Sequence, residues 1–238
     1  MTTEIHSCAL VRSLLHEIRR CKWKSDDWKA YGYIYLGAKG DIKVWNPYVE
    51  SDDEYSTSEV RLLSGPNNDF ESIEAGWAAD ASKTTGCFDL TCPGFVQTSH
   101  IIALGAAIHP ISLPDELPYQ ITIYIFKDPN MGNWWLQNGD RINIGYWPPE
   151  LFRALSSQAV AVEWGGEVYS SKLGHAPHTA TAMGNGNFPD PNWGNSGWIK
   201  RMRIHDNSAA LKFPDYVSDY VEDPEFYYGG PGKNFICP

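Results

Sequence analysis

The sequence lacks the features of several large functional classes. Only 20 % of its 238 residues are charged, and the 29 acidic residues outnumber the 19 basic ones, so the formal net charge is −10. An acidic surface repels phosphate backbones, and we therefore expect no nucleic-acid partner. No apolar run approaches the length of a membrane-spanning helix, and we expect no membrane partner. Charged residues and histidines interrupt the N-terminal stretch, so no signal peptide is visible there.

Several catalytic motifs are missing as well. The chain has no Gly-x-Ser-x-Gly, the nucleophile motif of α/β-hydrolases, and no phosphate-binding glycine loop. His175 and His178 would supply only half of a metal site, because no third ligand follows at a useful spacing. We interpret both as loop histidines, and we expect neither a metal nor a cofactor.

Cysteines are few and do not follow zinc-finger spacing. The sequence has five of them, and Cys87 and Cys92 bracket a short loop that a disulfide could close. Such a bond would imply an oxidising compartment. The odd number leaves at least one thiol outside any pair within the chain.

The sequence is rich in aromatic residues and in turn signals. Trp, Tyr and Phe make up 13 % of it, and 21 Gly and 16 Pro are scattered along it. From residue 30 onward, short strand-like runs alternate with turn sequences. Asn138-Gly139, for example, separates two such runs and is a strong hairpin signal. About ten short strands in one domain predict an all-β fold, an antiparallel β-sandwich.

The N-terminal stretch has a different pattern. Apolar residues recur at helical spacing over residues 8–20: Leu10, Val11, Leu14, Leu15 and Ile18. This spacing predicts a short amphipathic helix. We interpret residues 22–29 as a linker. We therefore expect two parts, an N-terminal helix and linker over residues 1–29 and a β-sandwich domain over residues 30–238.

Two glutamates share unusual neighbours. Glu167 ends the strand-like sequence Ala161-Val-Glu-Trp-Gly-Gly-Glu167, where Gly165 and Gly166 mark a bulge or the close approach of a ligand. Glu74 is likewise followed within three residues by Gly76 and Trp77. Two carboxyl groups in a semi-apolar cleft can divide the roles of proton donor and acceptor. Such a pair could hydrolyse an amide or a glycoside; the alternative is that both are ordinary solvated side chains.

Several short motifs occur in the order found in one family of plant proteins. They are Ile73–Trp77, Thr85–Cys87, Cys92–Gln97, Lys127–Pro129, Gly132–Trp135, Gly145–Pro148, Trp164–Val168, His178–Thr179 with Met183–Gly184, and Phe226–Gly232. With this collinear set, from about Tyr31 to Pro238, the chain resembles the neprosin family.

The resemblance implies a fold and an activity. It implies a β-sandwich glutamic peptidase that cleaves next to proline at acid pH, with Glu74 and Glu167 as the catalytic pair. It also implies a disulfide between Cys87 and Cys92 and an extracellular or vacuolar location. We expect a monomer whose substrate is a proline-containing peptide or protein.

Tryptophans are candidates for binding that substrate, because an indole can stack on a prolyl ring. The candidates are Trp77, Trp134, Trp135 and Trp164, together with Gly165 and Gly166 beside Glu167. For each indole, the alternative is a place in the core.

One departure from the family favours a second hypothesis. Between Trp77 and Thr85 the chain has only seven residues, where the family usually carries a longer segment that could form a strand and part of the cleft. Small displacements of a catalytic group can cost about a hundredfold in rate. The second hypothesis is therefore a catalytically inactive β-sandwich that binds a peptide or a glycan.

Overall fold

The computed structural model describes residues 5–13, 28–66, 69–80, 90, 93–172, 175–189, 195–208, 210–214 and 226–234. Nearly all of the regular secondary structure in the described part is β-strand, which confirms the all-β prediction. In chain order the strands are β1 (Ile5–Ser13), β2 (Trp28–Tyr35), β3 (Gly37–Lys43), β4 (Tyr55–Ser64), β5 (Glu71–Asp80), β6 (Val96–Gln97), β7 (Gln120–Lys127), β8 (Trp134–Asn138), β9 (Ile142–Trp147), β10 (Ala159–Tyr169), β11 (Gly197–His205), β12 (Leu211–Lys212) and β13 (Phe226–Tyr228). A short 3-10 helix spans Pro149–Leu151.

The strands form two antiparallel sheets. The five-stranded sheet has the order β1-β5-β4-β10-β2, and the eight-stranded sheet has the order β12-β11-β3-β7-β8-β9-β6, with β13 paired to β11. The predicted hairpin at Asn138-Gly139 is confirmed, because it joins the antiparallel pair β8 and β9.

The core lies between the two sheets. Alternate residues of the five-stranded sheet, such as Val60, Ile73 and Trp164, point inward and are fully buried. They belong to one apolar cluster with inward residues of the eight-stranded sheet, such as Ile42 and Ile125. Side chains alternate between the two faces of a strand, so the intervening residues of β4, β5 and β10 lie on the outer face.

The predicted N-terminal helix is wrong over Cys8–Ser13. Ile5–Ser13 instead forms β1, which pairs with β5 so that Leu10 lies opposite Glu74. Without β1, β5 would be an edge strand with unpaired backbone groups, whereas a short helix alone is only marginally stable in water. Residues 14–20 lie outside the described part. Of the predicted linker, Trp28 and Lys29 begin β2, and residues 22–27 also lie outside. The division of the chain into two parts, residues 1–29 and 30–238, stays a prediction.

A buried carboxylate fixes the turn after the 3-10 helix. Glu71, at the start of β5, accepts hydrogen bonds from the backbone N–H groups of Arg153 (2.9 Å), Ala154 (2.8 Å) and Leu155 (3.0 Å). Burial alone would raise the pKa of Glu71, but these three N–H groups and the charge of Arg153 outweigh it and lower the pKa. The ionised carboxylate therefore stabilises the fold.

We expect Glu71→Gln to lower the free energy of unfolding by about 1.5–3 kcal/mol at neutral pH, because charge-assisted hydrogen bonds are lost. A lowered folded-state pKa means that this stabilisation is complete above the ordinary glutamate pKa and is lost as the pH falls through the folded value. Urea denaturation at neutral and acid pH should show the two proteins converging at acid pH. Asp69→Asn is the control, because its ion pair with Arg153 is exposed and contributes about 1 kcal/mol or less.

Candidate active site

Three neighbouring strands bring charged residues together on the outer face of the five-stranded sheet. In the central strand β4, Arg61 lies opposite Glu74 of β5 and opposite Glu163 of β10. One step along, Glu59 lies between Gly76 and Gly165, and the next step places Glu167 opposite Thr57. We call Arg61 and its four glutamates, Glu59, Glu74, Glu163 and Glu167, the acid cluster.

The guanidinium of Arg61 contacts all four carboxylates. Its Nε lies 3.0 Å from Glu74 Oε1, and its Nη2 donates a 2.8 Å hydrogen bond to Glu167 Oε2. Nη1 lies 3.5 Å from Glu163 Oε2, and Nη2 also contacts Glu59 Oε1. The two predicted glutamates, distant in sequence, are therefore joined by one side chain.

The acid cluster is shielded from water. The exposed fraction of the side chain is 11 % for Arg61 and 2 % for Glu74, and it is largest for Glu167, at 24 %. Burial alone would lower the pKa of Arg61, but the charges of Glu74, Glu59, Glu167 and Glu163 together outweigh it and hold the pKa well above the ordinary value. Four carboxylates exceed the charge of one guanidinium, so the acid cluster carries a net negative charge when all four are ionised.

The two predicted glutamates have different hydrogen-bond partners. The Tyr55 hydroxyl donates to Glu167 Oε1 at 2.7 Å, so both oxygens of Glu167 accept hydrogen bonds. The Ser72 hydroxyl donates to Glu74 Oε1 at 2.6 Å. Glu74 Oε2 is buried, and within the described residues it has no hydrogen-bond partner. This oxygen has an open position for a proton or for the O–H of a water molecule, and only when it is protonated can it donate a hydrogen bond to a carbonyl oxygen.

The two glycines before Glu167 have different roles. Gly165 lies on the outer face, between Glu163 and Glu167 and opposite Glu59. Gly166 faces the other way: a Cβ there would lie 2.8 Å from Cε2 of Tyr228 and 2.9 Å from the carbonyl oxygen of Thr57. Core packing therefore explains Gly166, and its predicted place in the substrate site is wrong.

The predicted tryptophan-lined cleft is wrong for three of its four members. Trp77, Trp134 and Trp164 are fully buried in the core. Their indole N–H groups donate to the backbone carbonyls of Lys43 (2.9 Å), Leu155 (2.8 Å) and Lys39 (3.1 Å), respectively. Trp135 is half-buried in the other sheet, where its ring packs 4.9 Å from that of Tyr146. Alternation along a strand gives two faces, and here the apolar face turns inward.

Sequence reasoning missed Arg61, Glu59, Tyr55 and Ser72. The sequence did carry a signal for Glu59 and Arg61, since Ser58-Glu-Val-Arg-Leu62 alternates charged and apolar residues, as a half-buried strand does. The register that sets Arg61 beside Glu74 and Glu163 could not be obtained from that alternation.

The other predicted sites are outside the acid cluster. Cys87 and Cys92 lie outside the described residues, and their disulfide stays a prediction. His175 is exposed, whereas His178 is buried, with Nδ1 3.0 Å from the carbonyl oxygen of Thr179. Across the described ranges, no group of three or more His, Cys, Asp or Glu residues is arranged to hold a metal ion. The same ranges contain no helix long and apolar enough to cross a membrane.

The fold and the acid cluster define a β-sandwich protein with a carboxylate-lined site on one sheet. The Neprosin family model matches residues 52–234, which is most of the chain and includes the whole acid cluster. The chain therefore belongs to the Neprosin family, and its membership indicates a peptidase-related function. Family members are generally extracellular or vacuolar.

Proposed function

We propose that the protein is a glutamic endopeptidase that cleaves peptide bonds next to proline at acid pH, with Glu74 and Glu167 as its catalytic pair. One observation carries the proposal: Arg61 of the central strand binds both carboxylates, so the fold unites two glutamates that are 93 positions apart. A proline-containing peptide or protein as substrate, an extracellular or vacuolar location and a monomeric state belong to the same proposal.

The hydrogen bonds favour different roles for the two glutamates. Both oxygens of Glu167 accept hydrogen bonds, from Tyr55 and Arg61, which stabilises the ionised form. Glu74 is more deeply buried, and its Oε2 has no partner among the described residues, so this oxygen is the better place for a shared proton. We therefore propose Glu167 as the general base and Glu74 as the general acid.

The proposed reaction is direct hydrolysis. Glu167 takes a proton from water as the water oxygen attacks the scissile carbonyl carbon. Protonated Glu74 donates a hydrogen bond to the carbonyl oxygen and stabilises the negative charge that develops there. The C–N bond then breaks as the leaving nitrogen receives the proton that Glu167 took from water, which yields a free carboxyl group and a primary amine, or the secondary amine of proline, and regenerates the Glu167 carboxylate. No covalent intermediate with the protein is needed.

The test is cleavage of a quenched fluorescent peptide that contains proline, followed from about pH 2 to pH 7. We expect an acid optimum, and we expect Glu74→Gln and Glu167→Gln each to reduce kcat by about 10²–10⁴-fold, as for loss of a general acid or base. Glu150→Gln is the matched control, because Glu150 is exposed on the 3-10 helix, outside the acid cluster. Absence of cleavage by the folded wild-type protein over the whole range would refute the proposal.

The second candidate function is an inactive β-sandwich that binds a peptide or a glycan. The contacts of Arg61 with both predicted glutamates favour it, because a positive charge there opposes protonation of the pair. Titration calorimetry with the same proline-containing peptide separates the two functions. Saturable binding without cleavage at any pH would support the second, and turnover lost in either glutamine variant would exclude it.

A further inference from the structure

Arg61 occupies the centre of the acid cluster. It lies on the middle one of three paired strands, so its partners come from both neighbours as well as from its own strand. A guanidinium is planar and carries five N–H donors in a fixed fork. In this structure, all three nitrogens of the fork lie beside carboxylates: Nε is 3.0 Å from Glu74 Oε1 in an ion pair without a hydrogen bond, Nη1 meets Glu163, and Nη2 meets both Glu59 and Glu167.

We propose that Arg61 is the positioning residue of this site: its fork fixes the Glu74 and Glu167 carboxylates relative to each other, and its charge moves the active pH range of the pair to more acid values. The inference rests on the proposed function, since it concerns the same two glutamates.

The positioning role follows from geometry. Neither glutamate reaches the other through a backbone neighbour, because β4 lies between β5 and β10. Arg61 spans that gap, and it is held from both sides. Lysine offers a single point charge at this place, which can attract carboxylates but cannot orient two of them from separate nitrogens.

The effect on pH follows from the charges around the pair. Arg61 is the positive centre, and Glu59 and Glu163 add negative charge from β4 and β10. Two further basic residues belong to the edge strands of this sheet: in β1, Arg12 pairs with Ser72, and in β2, Lys29 pairs with Glu163. A nearby positive charge stabilises ionised carboxylates, so a pair that must hold one proton acquires it only at lower pH. Removing that charge should therefore move both limbs of the pH–activity profile upward.

The experiment compares Arg61→Gln with Arg61→Lys in the full chain, using kcat/KM for the same peptide as a function of pH. Arg61→Gln should shift both limbs of the kcat/KM profile to higher pH by about 1–3 units and lower the maximal kcat/KM. Arg61→Lys keeps the charge but not the fork, so it should lower the maximum with the limbs almost unmoved. Arg141→Gln, a substitution of an exposed arginine between β8 and β9, is the matched control and should leave the profile unchanged.

A second measurement needs no turnover. Infrared or ¹³C NMR titration of the glutamate carboxyls should show the acid cluster gaining protons at higher pH in Arg61→Gln than in the wild type. Such a shift in a protein that cleaves nothing would reject the proposed peptidase but support the effect of Arg61 on the charge of the cluster. If Arg61→Gln cleaves the peptide with the pH–activity profile and the carboxyl titration of the wild type, the Arg61 proposal is overturned, whereas the proposed peptidase function is not affected. If Arg61→Gln does not fold, an Arg61→Lys protein with full wild-type activity would overturn the positioning role.

Discussion

Arg61→Met is expected to lower the free energy of unfolding by about 3–5 kcal/mol at pH 7, the usual effect of leaving buried charges without their partner. Four largely buried carboxylates would then repel one another without the guanidinium between them. The raised pKa of Arg61 means that the wild-type side chain stays charged at all pH values below the ordinary arginine value, so the pH dependence of its contribution comes from the carboxylates.

The loss should depend on pH in a defined direction. In the variant, the folded state disfavours ionised carboxylates, so it binds protons at higher pH than the unfolded chain does. Its stability relative to the wild type therefore rises as the pH falls. Urea denaturation at pH 7 and pH 4 measures this difference. Arg153→Met is the control, because 78 % of the Arg153 side chain is exposed and its loss should cost about 1 kcal/mol or less. Equal losses at the two pH values would contradict the charge explanation.

The second large effect is expected for Gly76→Ala. Gly76 lies on β5 opposite Glu59, and a Cβ there would be 1.8 Å from the carbonyl oxygen of Ser58 and 2.8 Å from the Cα of Glu59. Both are backbone atoms of β4, so the clash cannot be relieved by turning a side chain. The two strands must separate, which we expect to cost about 3 kcal/mol or more. Because Glu74 and Arg61 lie on these same strands, peptide cleavage should fall as well.

Gly139→Ala is the matched control for this clash. Gly139 has φ +63°, which disfavours alanine, but a Cβ there would meet no atom within 4 Å. We expect that variant to lose about 1–2 kcal/mol, from backbone conformation alone. Chemical denaturation of both variants gives the comparison. A Gly76→Ala protein as stable as Gly139→Ala would show that β4 and β5 can move apart at little cost.

Local pattern predicted the parts of the fold that depend on local chemistry. The hairpin at Asn138-Gly139 follows from turn conformation, and the all-β class follows from short strand-like runs separated by turns. The N-terminal stretch failed for the opposite reason. Its helical spacing is a local signal, whereas β1 forms because β5, about 60 residues later, offers a free edge.

The candidate site shows the same limit. Glu74 and Glu167 were identified from their neighbours and from the family resemblance, without any information on strand pairing. Arg61 joins them only because β4 pairs with β5 on one side and β10 on the other, and register across 102 positions has no signature in local sequence. Gly166 was misread for a related reason, since the ring beside it comes from Tyr228, which is distant in sequence.

The pairing of β4 with β10 also has a consequence for biosynthesis. The ribosome releases β4 about 100 residues before β10, so a growing chain carries Arg61 and Glu74 long before it contains Glu163 and Glu167. Closing so long a loop is entropically costly, and folds dominated by such distant pairings assemble on the slow scale of milliseconds to seconds. The acid cluster is therefore completed only after most of the chain has been synthesised. A polypeptide that ends before Glu163 lacks two of the four carboxylates of the acid cluster, one of them in the proposed catalytic pair, so chains of that length could not carry out the proposed cleavage.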